Sequence, residues 1–201
     1  MALTVDYYFA PNSPWTYLGH QRFAQIAKAA GASINVLPVD LGGKVFPVSG
    51  GLPLAKRAPQ RQAYRLVELK RFSEFLGQPI VLQPKYFPVN ADDAARLIIA
   101  VDMHDGSEAA MRIAGRVLRG VWVDERNIAD PRDLATIVAE EGLPANRLDD
   151  ATSQAVQLRY ERDTQRAIDA GVFGAPSYLV DGELFWGQDR LDFLQRRLAR
   201  G

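Results

Sequence analysis

Residues 9–18 read Phe9-Ala10-Pro11-Asn12-Ser13-Pro14-Trp15-Thr16-Tyr17-Leu18, and the reading of this stretch decides the fold. Upstream, residues 3–9 are β-branched and aromatic, the pattern of a short buried strand. Downstream, Tyr17, Leu18, Phe23, Ile26 and Ala27 recur at helical spacing. Pro14 suits the first helical position, where its missing N–H costs nothing. Ser13 is then the N-cap, its hydroxyl beside unpaired amides and the positive end of the helix dipole. A capping serine explains Ser13 on its own. A second reading is that strand, turn and Ser13-Pro14-Trp15-Thr16 together imitate the Cys-Pro-x-Cys turn of thioredoxin-like proteins, with hydroxyls in place of both thiols.

The remaining chain supports the second reading. After a stop at Gly31, residues 33–39 alternate as a second strand, so strand, helix and strand form a right-handed βαβ unit with a parallel pair. Residues 42–59 are dense in Gly and Pro and are expected to be a loop. A helix follows over 60–76, with Tyr64, Val67, Phe72 and Leu76 inward and the arginines and lysines outward. Residues 80–82 form a short extended piece and 84–90 a loop. Further helices are expected over 91–104, from a Ser107 cap to about 123, over 130–141 and over 152–170. Residues 177–180 and 183–186 are strands around an Asp181-Gly182 turn, and a last helix starts after Gly187. This order, βαβ, helices, then ββα, predicts an α/β protein. It is a thioredoxin-like fold of residues 1–45 and 171–201 with a helical domain, 46–170, inserted between its halves.

Composition limits the chemistry. The 201 residues are 47% hydrophobic and 24% charged, with zero net charge, so neither nucleic acid nor a membrane surface is an expected partner. Cysteine is absent. That excludes disulfide staples, thiolate metal sites and redox work by the protein's own thiols. The two histidines, His20 and His104, lie far apart, and no metal site is expected. No signal peptide or membrane span is evident, which points to a cytoplasmic protein.

Several stretches carry a family resemblance. Ser13-Pro14-Trp15-Thr16-Tyr17-Leu18 is similar to a Ser-Pro-aromatic-Ser-Tyr-Leu turn, and Phe87-Pro88-Val89-Asn90, with Ala94 and Arg96, to a Phe-Pro-x-Asn segment. Trp122, Glu125, Ile128 and Asp130 fall in a matching acidic helix end. Gly174-Ala175-Pro176 and Phe185-Trp186-Gly187-Gln188-Asp189-Arg190 match a closing strand and helix start. On these, the chain resembles the 2-hydroxychromene-2-carboxylate isomerases, relatives of kappa-class glutathione transferases on the DsbA-like branch of the thioredoxin superfamily. The resemblance covers nearly the whole chain.

It implies glutathione as cofactor, an aromatic small-molecule substrate, and a homodimer. Ser13 would be the catalytic residue, donating a hydrogen bond to the glutathione sulfur. Ala175-Pro176 would be a cis bond, with the Ala175 backbone pairing with the cysteinyl unit. Trp186, Gly187, Gln188 and Asp189 would hold the γ-glutamyl end, Asp189 taking the ammonium. Arg61, standing where a lysine is usual, would meet a carboxylate. Trp15, Lys44, Gly51, Leu52 and Asn90 would contact substrate. Phe46, Phe87 and Trp122 could join Trp15 in an aromatic pocket, and Arg57, Arg61 and Asn90 are candidates for a substrate carboxylate. Phe46 departs from a usual Lys and Gly51 from a usual Asn. The implied activity is glutathione-dependent cis–trans isomerisation of a conjugated keto acid in aromatic-compound breakdown. A kappa-type transferase or peroxidase and a non-catalytic binding protein of the same fold remain open alternatives.

Overall fold

The computed structural model describes residues 3–200. Strand β1 (Thr4–Phe9) is followed by helix α1 (Pro14–Ala29) and strand β2 (Ser33–Pro38), which lies parallel to β1 with Tyr7 opposite Val36. Near the other end, β3 (Ser177–Val180) and β4 (Glu183–Trp186) form an antiparallel hairpin. The hairpin turn is Asp181-Gly182, both at positive φ, as the sequence led us to expect. β3 then pairs antiparallel with β1, giving the order β2-β1-β3-β4.

Between β2 and β3 run α2 (Phe46–Ser49), α3 (Pro59–Leu76), α4 (Asp92–Asp105), α5 (Ser107–Trp122), α6 (Pro131–Glu140), α7 (Arg147–Asp150) and α8 (Gln154–Asp169). A 3-10 turn, Gln188–Arg190, and α9 (Leu191–Leu198) close the chain. No described helix is long and apolar enough to cross a membrane.

The alternation of β1 divides the core into two layers. Val5, Tyr7 and Phe9 face one side, where α1, α4, α5 and α9 supply the buried partners. Tyr8 faces the other, with Leu37, Val39 and Ala167 of α8. Tyr7 stacks on Phe9 and Tyr178 and packs against Phe23, at centroid distances of 4.6, 5.4 and 4.6 Å. Residues 97–101 of α4 are buried on every side, which suits a helix enclosed between the sheet and α5.

Three local expectations are corrected. Residues 42–59 are not irregular throughout: a π-helical turn, Leu41–Val45, leads into α2, and a 3-10 turn covers Leu54–Lys56. The Asp40 carboxylate nucleates the first by accepting the Gly43 N–H at 2.7 Å. Ser107 is the first helical residue of α5 and not its cap; Gly106, at φ +85°, holds that position. Residues 80–82, expected as a short extended piece, belong to no helix or strand, and the Val81 N–H donates to the Trp122 carbonyl at 2.7 Å. Most consequential is α3. Its inward face carries Arg65 and Leu69, while Tyr64 and Val67 point to solvent.

His20 shows how tightly α1 is fitted. Its Nε2 lies 2.9 Å from the Met111 carbonyl and must donate, so Nδ1 accepts the Tyr7 hydroxyl proton at 3.1 Å. Burial holds its pKa down to about 4, against a small opposing effect from the Met111 carbonyl. The unfolded chain takes up this proton near pH 6.5, the folded one near 4, so this contribution to stability shrinks as pH falls between those values. The shift corresponds to about 3 kcal/mol. Nuclear magnetic resonance should find the His20 ring neutral and Nε2-protonated at pH 5.5; a ring that titrates near pH 6.5 contradicts the network.

Candidate functional site

The turn after β1 and the turn before β3 meet at one edge of the sheet, because Tyr8 is paired with Ser177. The Ser13 N–H donates to the Ala10 carbonyl at 3.0 Å, closing the first turn. Ser13 Oγ accepts the Thr16 N–H at 3.2 Å, the N-cap bond the sequence calls for. Its own proton finds no acceptor among the described residues and is free to donate. Thr16, at the position of a second thiol, is fully buried and its hydroxyl is unpartnered.

Across from it, the Ala175–Pro176 bond is cis. The Pro176 carbonyl accepts the Gly187 N–H at 2.9 Å, and the Gly174 carbonyl accepts the Ser177 hydroxyl at 2.8 Å. The Ala175 N–H and carbonyl have no backbone partner among the described residues. Gly174 is required here, since a Cβ would strike the Trp186 indole. A second close approach seats the 3-10 turn on α1. A Cβ on Gly19 would lie 2.8 Å from Gln188 Cβ.

Beside these turns lies a cavity of about 610 Å³, with α3 as its far wall. Trp15, Arg61, Ala175, Trp186, Gly187, Gln188 and Asp189 line it, so seven of the residues named from sequence come together. Pro176 adjoins the lining residue Ala175, and Ser13 lies two residues before Trp15; neither is part of the wall. Arg57, Arg65 and Phe72 also line it. Trp15 meets Phe72 edge-on at 5.9 Å. Gln188 is 2% exposed, and its Nε2 is buried without a partner. Asp189 is paired with the Arg190 guanidinium.

Four expected substrate contacts lie elsewhere. Lys44 borders a second cavity of about 400 Å³, with Asp40, Asp92 and Tyr160. The Asn90 side chain accepts the Asp92 N–H at 2.7 Å and so serves the start of α4. Gly51 is covered by the Phe46 ring, which leaves no room for a Cβ. Leu52 is half exposed, and its carbonyl accepts from Arg57 Nε at 2.8 Å. Phe87 and Trp122 pack against each other with tilted rings, centroids 4.7 Å apart, behind Arg65 and do not line the cavity.

Arg65 is the site residue that hydrophobic periodicity missed. A signal existed in the run Arg61, Arg65, Leu69, whose i, i+4 spacing puts all three on one helix face. Burial, and next the neighbouring Arg57, pushes the Arg65 pKa down to about 10; burial and Arg61 lower that of Arg57.

The comparisons with known proteins agree with the fold. The model of the DSBA-like thioredoxin domain matches residues 4–199. A 2-hydroxychromene-2-carboxylate isomerase from Pseudomonas putida is 30% identical, covering 98% of this chain and 95% of its own. One from Sphingobium xenophagum is 29% identical, covering 98% and 99%. The solved structure of such an isomerase superimposes with a TM-score of 0.81 at 28% identity, over 98% of this chain and 95% of its own.

A buried amide with no partner destabilises the free protein, so replacing it by an apolar group of similar shape should relieve that cost. Gln188→Met should leave unfolding free energy unchanged or raise it by about 1 kcal/mol in urea titration. A loss of that size would mean that the carboxamide is satisfied within the fold.

Proposed function

The chain belongs to the DSBA-like thioredoxin domain family and, within it, to the 2-hydroxychromene-2-carboxylate isomerases, and from this premise we propose that it is a glutathione-dependent cis–trans isomerase of an aromatic, conjugated keto acid in aromatic-compound breakdown. The observation that carries the reading is Ser13, a hydroxyl with a free proton at the positive end of α1 in a chain without any cysteine. A serine cannot act as the thiol, but it can hold one as thiolate.

The cavity wall suits glutathione. A cysteinyl backbone needs one donor and one acceptor in extended register, and the Ala175 N–H and carbonyl offer both. The unpartnered Gln188 amide would donate to the γ-glutamyl carboxylate, and Asp189 would take the ammonium, exchanging part of its pairing with Arg190. Arg61, exposed at the rim, would receive the glycine carboxylate.

Bound glutathione would supply the nucleophilic thiolate for reversible addition to a conjugated carbon, the chemistry that allows a double bond to be reconfigured without net consumption of the cofactor. The protein's own part is stabilisation and placement. Ser13 would donate a hydrogen bond to the sulfur and keep its proton, while its oxygen accepts from the Thr16 N–H. Ala175 and Gln188 fix the tripeptide backbone, converting an encounter into a positioned attack. Trp15 and Phe72 offer aromatic surface beside it. The pairing of two copies and a cytoplasmic setting belong to the same reading.

Isomerisation and transfer differ in stoichiometry. Substoichiometric glutathione should carry 2-hydroxychromene-2-carboxylate through many turnovers to its isomerisation equilibrium; equimolar consumption of glutathione would make the protein a transferase. Ser13→Ala should cut kcat by about 100-fold while moving glutathione affinity less than about threefold. Unchanged turnover would remove Ser13 from the chemistry. Asp189→Asn should weaken glutathione by about tenfold, as expected for a lost charge-assisted bond, with kcat at saturation retained. Unaltered affinity would place the γ-glutamyl end elsewhere.

A further inference from the structure

Arg65 is a cation without an anion. It is 9% exposed, and Nη2 is buried with no hydrogen-bond partner. Among the described residues it forms no ion pair. The two carboxylates on the same cavity wall are engaged elsewhere: Glu68 accepts the Tyr64 hydroxyl proton at 2.9 Å, and Asp189 pairs with Arg190. Arg57 and Arg61 add positive charge on the same side. The guanidinium instead lies against two aromatic rings, 5.2 Å from the Phe87 centroid and 5.6 Å from that of Trp122. Those contacts fix its plane and leave its polar edge unused. The Trp122 indole N–H is also buried without an acceptor.

A buried, planar, unpaired fork of donors at the wall of a cavity is built for a carboxylate, which it can meet with two parallel hydrogen bonds. We propose that Arg65 determines substrate specificity: it anchors a carboxylate on the aromatic ligand, whose ring lies toward Trp15 and Phe72. This rests on the assignment of the cavity to glutathione and an aromatic keto acid. Glutathione also carries carboxylates, so the shared chemistry has two sources. Burial separates them. Arg61 is exposed and can meet the glycine end of a flexible tripeptide, whereas Arg65 lies deeper against the aromatic pair. The lowered pKa of Arg65, from burial and Arg57, reflects the same lack of a counter-charge and would recover on binding an anion.

The test compares chromone-2-carboxylate with chromone-2-carboxamide by calorimetry on the glutathione-loaded protein. These planar aromatic ligands differ by one charge. The wild-type protein should bind the acid about 30-fold more tightly than the amide, and Arg65→Gln should reduce that ratio to about threefold, with Arg65→Lys between them. Glutathione affinity, measured separately on each variant, should stay within about twofold. An unchanged ratio in Arg65→Gln overturns the proposal and passes the role to Arg57 or Arg61. A glutathione loss of about tenfold with the ratio intact also overturns it, since Arg65 would then hold the tripeptide. If the glutamine variant does not fold, the wild-type ratio and its change in Arg65→Lys decide, and a wild-type ratio near one is contradictory without any variant. Failure of the cofactor reading looks different: no glutathione would bind, yet the acid would still be preferred over the amide.

Discussion

The antiparallel pairing of Tyr8 with Ser177, backed by the stacking of Tyr7 on Tyr178, is the constraint on which the rest of the structure depends. It joins the two ends of the chain in one sheet. Register is fixed by burial on both faces. A slip of one residue would turn Tyr7 and Phe9 toward α8 and send Tyr8 into the layer filled by α1 and α5. With the register set, the Ser13 turn and the Ala175–Pro176 turn emerge at the same edge. The hairpin then returns Gly187 to the Pro176 carbonyl, which delivers Gln188 and Asp189 to the same place.

Around that edge the protein departs from the rule that buried polar groups find partners. Thr16 Oγ1, Gln188 Nε2 and Arg65 Nη2 are buried and unpaired, and the Ala175 backbone groups lack backbone partners among the described residues. Away from it, charges are matched. Arg147 holds Asp105 and Asp150, Arg126 grips Glu140 with two bonds, and Asp163, almost fully buried, is met by Arg159 and Arg162. Arg65 and Gln188 bring two of these unpaired donors to the cavity wall, where a ligand can complete their hydrogen bonding, whereas the Tyr8 hydroxyl, also unpaired, lies in the other core layer.

Legibility in the sequence followed the physics of each element. β1, α1 and the closing hairpin were plain because their signals are local: a β-branched run, a Ser-Pro cap and an Asp-Gly turn. The side of the cavity proposed for the cofactor was legible for the same reason, since it is built from short contiguous motifs. The inner wall was not. Periodicity sorts residues by hydrophobicity and sends every arginine to solvent, so Arg65, whose burial depends on the distant rings of Phe87 and Trp122, went unrecognised. Lys44 and Asn90 fall outside this cavity because Lys44 borders the groove between α4 and α8 and Asn90 serves the start of α4, and no local signal reports that packing.

The central claim is that the N-terminus of α1 and the Ser13 hydroxyl hold a bound thiol as thiolate. Ultraviolet difference titration of glutathione on the wild-type protein against pH measures this directly, through the thiolate band. The account predicts a saturating thiolate signal that persists well below pH 8.5, about the pKa of a free thiol. A bound thiol that titrates like free glutathione, or a protein that shows no saturable signal, would contradict it.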